Sequence, residues 1–186
     1  GVDIRLQPAV AGAPTARSHV LITDDGQRTM QTYLGACLEL ALADIDEETV
    51  GKPQVILLEG YVWDIAEGPA LAKKAAEIAH RNNASVALSL SDSYCVERHR
   101  DSFEDFVRNN ADIIVADEDE IYALLGVDTI ELAVPRLAEY GILFAVTRSE
   151  QGSVIVHGDA RVEQPATAVE KVVDSTGAGD AYSAGF

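Results

Sequence analysis

The run Asp174-Ser175-Thr176-Gly177-Ala178-Gly179-Asp180, continuing Ala181-Tyr182-Ser183-Ala184-Gly185-Phe186, holds the residue types that a phosphoryl-transfer site asks for. Small residues at 177–179 let the backbone turn sharply and approach a ligand closely. A helix is predicted to start at once, so the N–H groups of Gly177, Ala178 and Gly179 point outward at the positive end of its dipole. That is an anion hole suited to a phosphoryl group. Asp180 falls in the first helical turn, where the dipole favours its ionised form. It could take the proton of an alcohol while the amides hold the charge building on the transferred group. The plainer reading is a Gly-rich turn followed by an acid at a helix start, which the dipole favours anyway.

Two other stretches have polar side chains at strand ends. Asp117-Glu118-Asp119-Glu120 follows the strand-like Ala111–Ala116, and Asp117 with Glu120 three residues on reads as a capping box. Thr147-Arg148-Ser149-Glu150-Gln151-Gly152 reads as a strand end and β-turn.

The elements that must position these residues follow from patterning. Ser18–Thr23 and Arg28–Leu34 are rich in β-formers, and the Asp-Gly pair in Asp24-Asp25-Gly26-Gln27 predicts a hairpin between them. From residue 54 strands and helices alternate: 54–59, 85–90, 111–116 and 142–147 read as strands. Helices are predicted from Gly68 to Asn82-Asn83, over 101–108, over 117–125 and over 129–140. Pro135 should kink or split the last of these. Ser153–His157 is another strand, a turn falls at Gly158-Asp159, residues 161–173 are extended, and Val2–Leu6 is strand-like. The alternation over 54–147 predicts an α/β fold with a doubly wound, mostly parallel sheet covered by helices on both faces.

Composition narrows the function classes. The chain has 186 residues, 47% of them hydrophobic, enough for a sizeable core in one domain. Its net charge of -17 repels nucleic acid and anionic membrane surfaces, so neither is an expected partner. A phosphate site on such a chain must be local, built from backbone amides and a divalent metal. Cys37 and Cys95 sit in no metal-ligand spacing and read as reduced thiols, which points to the cytoplasm. No apolar run approaches the roughly 18 residues of a membrane span.

The string from Asp174 to Phe186 closely resembles the second signature of the PfkB (ribokinase-type) carbohydrate kinases, at Asp174, Gly177, Ala178, Gly179, Asp180 and Gly185. The resemblance implies a ribokinase-like kinase domain over 1–186, partial at both ends, with a small β-ribbon lid at 18–34. It implies Asp180 as the catalytic base and Gly177, Ala178 and Gly179 as the anion hole. Asp117 and Glu120 are similar to the family's Asn-x-x-Glu, with Asp in place of Asn, and would hold Mg²⁺ through water. Thr147, Ser149 and Gly152 resemble a Thr-x-Gly-x-x-Gly that contacts ATP, with Ser149 where Gly is usual. Asp174 and Ser175 would help bind a monovalent cation such as K⁺. Arg28–Ala36 and Leu58–Tyr61 look like the bacterial adenosine-kinase-like branch, the second segment lying near the acceptor pocket. The implied activity is ATP-dependent phosphorylation of the primary hydroxyl of a nucleoside or sugar, adenosine first. A ribokinase- or fructokinase-type sugar kinase and a non-catalytic ligand-sensing relative are the alternatives. The ribbon edge could also join two copies in a homodimer of the full-length protein.

Overall fold

The structure is a computed structural model that describes residues 11–186; the strand-like Val2–Leu6 lies outside the described residues. The ribbon forms as the hairpin signal predicts. Strands β1 (Arg17–Ile22) and β2 (Arg28–Tyr33) pair antiparallel from Arg17 opposite Tyr33 to Ile22 opposite Arg28. The turn closes with Gly26 N–H donating to the Thr23 carbonyl at 2.9 Å. All twelve strand residues are exposed, including Val20, Leu21, Ile22 and Met30.

The main sheet has six strands in the spatial order β3 (Val55–Glu59), β4 (Ser85–Ser89), β5 (Ile113–Asp117), β6 (Leu143–Thr147), β7 (Ser153–His157), β8 (Ala160–Gln164). Strands β3 to β6 are parallel, and β7 and β8 add on antiparallel. Each parallel crossover carries helix: α2 (Gly68–Arg81), α3 (Ser93–Asn109), then α4 (Glu118–Leu125) with α5 (Ile130–Ala138). A four-residue helix, α1 (Glu47–Val50), precedes β3, and α6 (Ala178–Gly185) ends the chain. Right-handed crossovers stepping in one direction place α2–α5 on one face of the sheet. Burial agrees: Val86, Leu88, Ile114, Ala116, Phe144, Val146, Val154 and Val156 share that face and form the core with the helices. Trp63 stacks on Phe103 at 4.3 Å between ring centroids and meets Phe106 edge-on, tying the turn after β3 to α3. No helix of the described residues is long and apolar enough to cross a membrane.

Two helices differ from the patterning. α3 begins at Ser93, eight residues before the predicted Asp101, because Asp92 caps it by accepting from Cys95 N–H at 3.0 Å. Cys95 and Val96 then bury on the same helix as Phe103, Phe106 and Val107. The apolar spacing is interrupted at His99, where the backbone leaves helical geometry (φ -122°, ψ 22°), so the first half was not legible as helix. In α5, Pro135 sits inside one continuous helix and does not split it. Thr129 caps that helix, and Ile130, Ala133 and Leu137 bury along one stripe. Beyond β8 the predicted extended stretch is irregular from Pro165 onward.

Replacing Phe103 by Ala removes the ring that Trp63 stacks on in a fully buried site. Chemical denaturation should show a loss of about 3–5 kcal/mol. A loss under about 1 kcal/mol would mean that this stack does not anchor α3.

Candidate active site

The carboxyl ends of β3 to β6 bring the polar residues together, as a crevice at that edge of a parallel sheet does. Asp117 ends β5 and pairs with Thr147, the last residue of β6, so two of the stretches singled out above start side by side. Glu59 ends β3, and Ser91 follows β4. Helix α6 touches β5, which brings the Gly-rich motif to the same sheet.

Gly177 caps α6 in the left-handed region (φ 74°, ψ 12°), a conformation that an L side chain resists by roughly 1–2 kcal/mol. The turn before it is fixed twice over. Asp174 accepts the Thr176 N–H at 2.8 Å, and Ala178 N–H donates to the Ser175 carbonyl at 3.2 Å. Thus one of the three expected anion-hole amides, that of Ala178, closes the turn. The amides of Gly177, Gly179 and Asp180 have no hydrogen-bond partner among the described residues. The Asp180 carboxylate is exposed and folds back over the turn, and a Cβ at Gly177 would lie 3.8 Å from its Oδ2. The motif is therefore neither folded inward nor sealed.

Arg28, at the start of β2, reaches across to this loop and donates from Nη1 to Ser175 Oγ at 3.0 Å. Ser175 Oγ also lies 3.4 Å from the Gly26 carbonyl of the ribbon turn. The Asp174 carboxyl is held below the usual range by the Thr176 hydroxyl and N–H, with help from the Arg28 charge. Both residues expected at a monovalent-cation site already have protein partners: Thr176 for Asp174 and Arg28 for Ser175. Arg28 was read from the sequence only as part of the ribbon segment. Nothing local shows that it meets a loop 147 residues later.

Asp117 and Glu120 form the capping box with both bonds made: Glu120 N–H to Asp117 Oδ1 at 2.8 Å, and Asp117 N–H to Glu120 Oε2 at 2.9 Å. Glu120 is 7% exposed. Its carboxyl is pushed up to about 8, first by burial and then by the neighbouring Asp117 charge, with Asp92 and Glu59 adding to it. Burial also raises Asp117. The second oxygens, Asp117 Oδ2 and Glu120 Oε1, accept no hydrogen bond among the described residues. Crowded carboxylates with spare oxygens and no sulfur or nitrogen donor fit a hard cation such as Mg²⁺. Capping and cation holding use different oxygens, so the two readings are compatible.

The loop after β6 is a tight turn, with Gly152 N–H donating to the Ser149 carbonyl at 3.1 Å and Arg148 N–H to the Gly152 carbonyl at 2.8 Å. Ser149 keeps a positive φ of 49°, so the backbone there has a glycine-like shape despite the side chain. Gly152 (φ 92°) is required by packing, because a Cβ would sit 2.0 Å from the Gln164 carbonyl.

One further strained position was not visible in the sequence. Ser91 has φ 71°. Its hydroxyl donates to Glu59 Oε2 at 2.8 Å and accepts from Gly60 N–H at 2.8 Å, while its carbonyl accepts from Tyr61 OH at 3.1 Å. Strain of this kind gathers at functional sites. The only available signal was position, just past a strand's carboxyl end.

Glu120 gives a pH prediction. Its carboxyl titrates near 8 folded against an ordinary 4.5, so between those values the folded state holds a proton that the unfolded chain has released. Stability from this group is therefore lost as pH rises through that window. Thermal melts should fall across it, and Glu120→Gln, which keeps the capping bond, should flatten the slope. Equal slopes in the two proteins would contradict the assignment.

The chain matches the family model described as "pfkB family carbohydrate kinase" over residues 1–186. The solved adenosine kinase from Sinorhizobium meliloti is 43% identical, with a TM-score of 0.91 over 96% of this chain and 55% of its own. The Anopheles gambiae adenosine kinase, solved in complex with P1,P4-di(adenosine-5) tetraphosphate, shares the fold at 21% identity, with a TM-score of 0.80 over 92% of this chain and 55% of its own. Guanosine-inosine kinase of Escherichia coli K12 is 27% identical over 127 residues, 67% of this chain and 29% of that protein. The chain thus spans about half the length of these solved structures and less of the E. coli enzyme. With the family match running from end to end, and with the mostly parallel sheet, the helices and the separate ribbon all in place, this chain belongs to the pfkB family of carbohydrate kinases and has its ribokinase-like fold.

Proposed function

We propose that this chain carries the catalytic part of an ATP-dependent kinase that phosphorylates the primary hydroxyl of a nucleoside, adenosine first. The observation that carries the reading is the exposed Asp180 carboxylate lying over the left-handed turn at Gly177, beside amides without protein partners.

Asp180 Oδ2 accepts the proton of the acceptor hydroxyl as that oxygen attacks the γ-phosphorus. The bond from phosphorus to the bridging oxygen breaks, and ADP leaves. The amides of Gly177 and Gly179 meet the charge on the transferred group, and the Ala178 amide joins them if its bond to Ser175 opens. Arg28, already against Ser175, puts a positive charge beside the same group. In a chain of net charge -17, that cation and the helix dipole are the local counterweight to a polyphosphate.

Thr147, Ser149 and Gly152 face the nucleotide from the end of β6, next to Asp117. Asp117 and Glu120 are the residues that would hold Mg²⁺, by the oxygens the capping box leaves spare, and the ion would supply charge neutralisation for the phosphates. Asp174 and Ser175 would take K⁺ only by giving up their present partners, Thr176 and Arg28. Tyr61 and the Ser91–Glu59 pair flank the acceptor pocket, and the ribbon acts as its lid and as the edge for a homodimer. A nucleoside acceptor is supported by the likeness to the S. meliloti enzyme. An adenine nucleotide is supported by the ligand of the Anopheles relative. Free Cys37 and Cys95 fit a reducing compartment, and the cytoplasm is the proposed location.

In the full-length protein, Asp180→Asn should leave nucleotide affinity nearly unchanged and cut kcat by about 10² to 10⁴. A kcat within about tenfold of the parent would remove the proposed base. The same coupled ADP-release assay run over nucleosides and sugars ranks the acceptors. Best turnover on ribose or fructose would replace adenosine by the sugar-kinase reading, and binding without turnover on any of them would favour the ligand-sensing one.

A further inference from the structure

A second cluster of chemistry-bearing side chains lies where the turn after β3 meets the first half of α3. Cys95 and His99 are four residues apart, hence on one face of α3. Asp64 approaches them from the 3₁₀ turn Gly60–Asp64. One ligand atom from each of the three lies within 4.8 Å of the other two. His99 Nε2 is 2.9 Å from Asp64 Oδ1.

We propose that Asp64, Cys95 and His99 form a binding site for a borderline-soft divalent cation of the zinc class. A tetrahedral zinc ion bonded to S, N and O at about 2.0–2.3 Å holds its donors about 3.3–3.6 Å apart. The His99 Nε2 and Asp64 Oδ1 atoms, 2.9 Å apart, need only open by about half an ångström, and the sulfur need only close in by about 1–1.5 Å. The mixed sulfur, nitrogen and oxygen set favours zinc or cobalt and disfavours Mg²⁺ and Ca²⁺. It is thus chemically distinct from the all-oxygen pair Asp117–Glu120.

Four further observations support a built site. α3 departs from helical geometry at His99, although the helix contains neither Pro nor Gly, the usual causes of a kink. Arg98 grips both oxygens of Asp64, Nη2 on Oδ2 at 2.7 Å and Nε on Oδ1 at 3.4 Å, which orients the carboxylate as an outer-shell partner does; the longer contact, at Oδ1, is the one a metal would displace. Trp63 Nε1–H donates to Ser102 at 3.0 Å, so the turn that carries Asp64 is pinned to α3 on its buried side. A surface cavity of about 660 Å³ lined by Glu97, Arg98, His99, Arg100, Asp101 and Ser102 adjoins the cluster at His99, and leaves room for water as the fourth ligand. On binding, the Cys95 thiol releases its proton to solvent as the metal–sulfur bond forms.

The test is titration of the chelator-stripped protein with Co²⁺, followed by visible and near-ultraviolet absorption. One tetrahedral Co²⁺ per chain with a thiolate-to-metal charge-transfer band is expected, displaced by Zn²⁺ but not by excess Mg²⁺. His99→Gln can still bond Asp64 on the half-exposed side, so it should fold by circular dichroism. It should lower Co²⁺ affinity by more than about 100-fold, the upper range for loss of an outer-shell partner. Cys95→Ser should abolish the charge-transfer band; should that variant not fold, the His99→Gln titration decides alone. No such band in the parent protein, or unchanged affinity in folded His99→Gln, overturns the site.

Discussion

A left-handed backbone at Gly177 is the constraint on which the functional end of this molecule depends. It turns the chain from the irregular stretch after β8 into α6 within a few residues. It also leaves the amides of Gly179 and Asp180 at the positive end of the helix dipole with no carbonyl to bond. For a chain of net charge -17 this matters more than it would for a neutral one. Long-range electrostatics oppose any polyanion, so whatever attraction exists must act within a few ångströms. The dipole, the open amides and Arg28 all act at that range.

The capping box at the start of α4 shows how one arrangement can serve two ends. Asp117 and Glu120 each spend one oxygen on closing the helix terminus. Holding both carboxylates in that geometry buries Glu120 next to a like charge, which is costly for its ionised form. A helix needs only the cap and gains nothing from that crowding. The unused oxygens are what a divalent cation would exploit; without one, a proton on Glu120 relieves the crowding up to about pH 8.

Backbone strain is distributed in the same way. Ser91 and Ser149, both non-glycine residues in the left-handed region, follow the carboxyl ends of β4 and β6. At the opposite end of the sheet, Asn83 also has positive φ, but there it merely ends α2, a position where Asn tolerates that shape. The difference is in the partners. Ser91 orients Glu59 and the turn carrying Tyr61, and Ser149 shapes the loop beside Asp117. Each keeps its strained shape within a hydrogen-bonded turn.

The sequence by itself determined the local chemistry: the Gly-rich turn into α6, the acid in its first turn, the capping pair, the hairpin at Gly26 and the parallel strands. Each of these rests on short-range physics, such as glycine's freedom, a cap three residues from its partner, or an apolar run buried between helices. Tertiary structure decided the rest. It bonded the Ala178 amide into its own turn and brought Arg28 onto Ser175 across 147 residues. It set Ser91 against Glu59, and it started α3 at Ser93 despite the break at His99. None of these could be read in advance, because contacts between distant segments depend on which surfaces the core leaves facing each other, and no local pattern encodes that. Gly152 combines the two: its spacing resembles a nucleotide loop, but what forbids a side chain there is the carbonyl of Gln164, brought alongside by the pairing of β7 and β8.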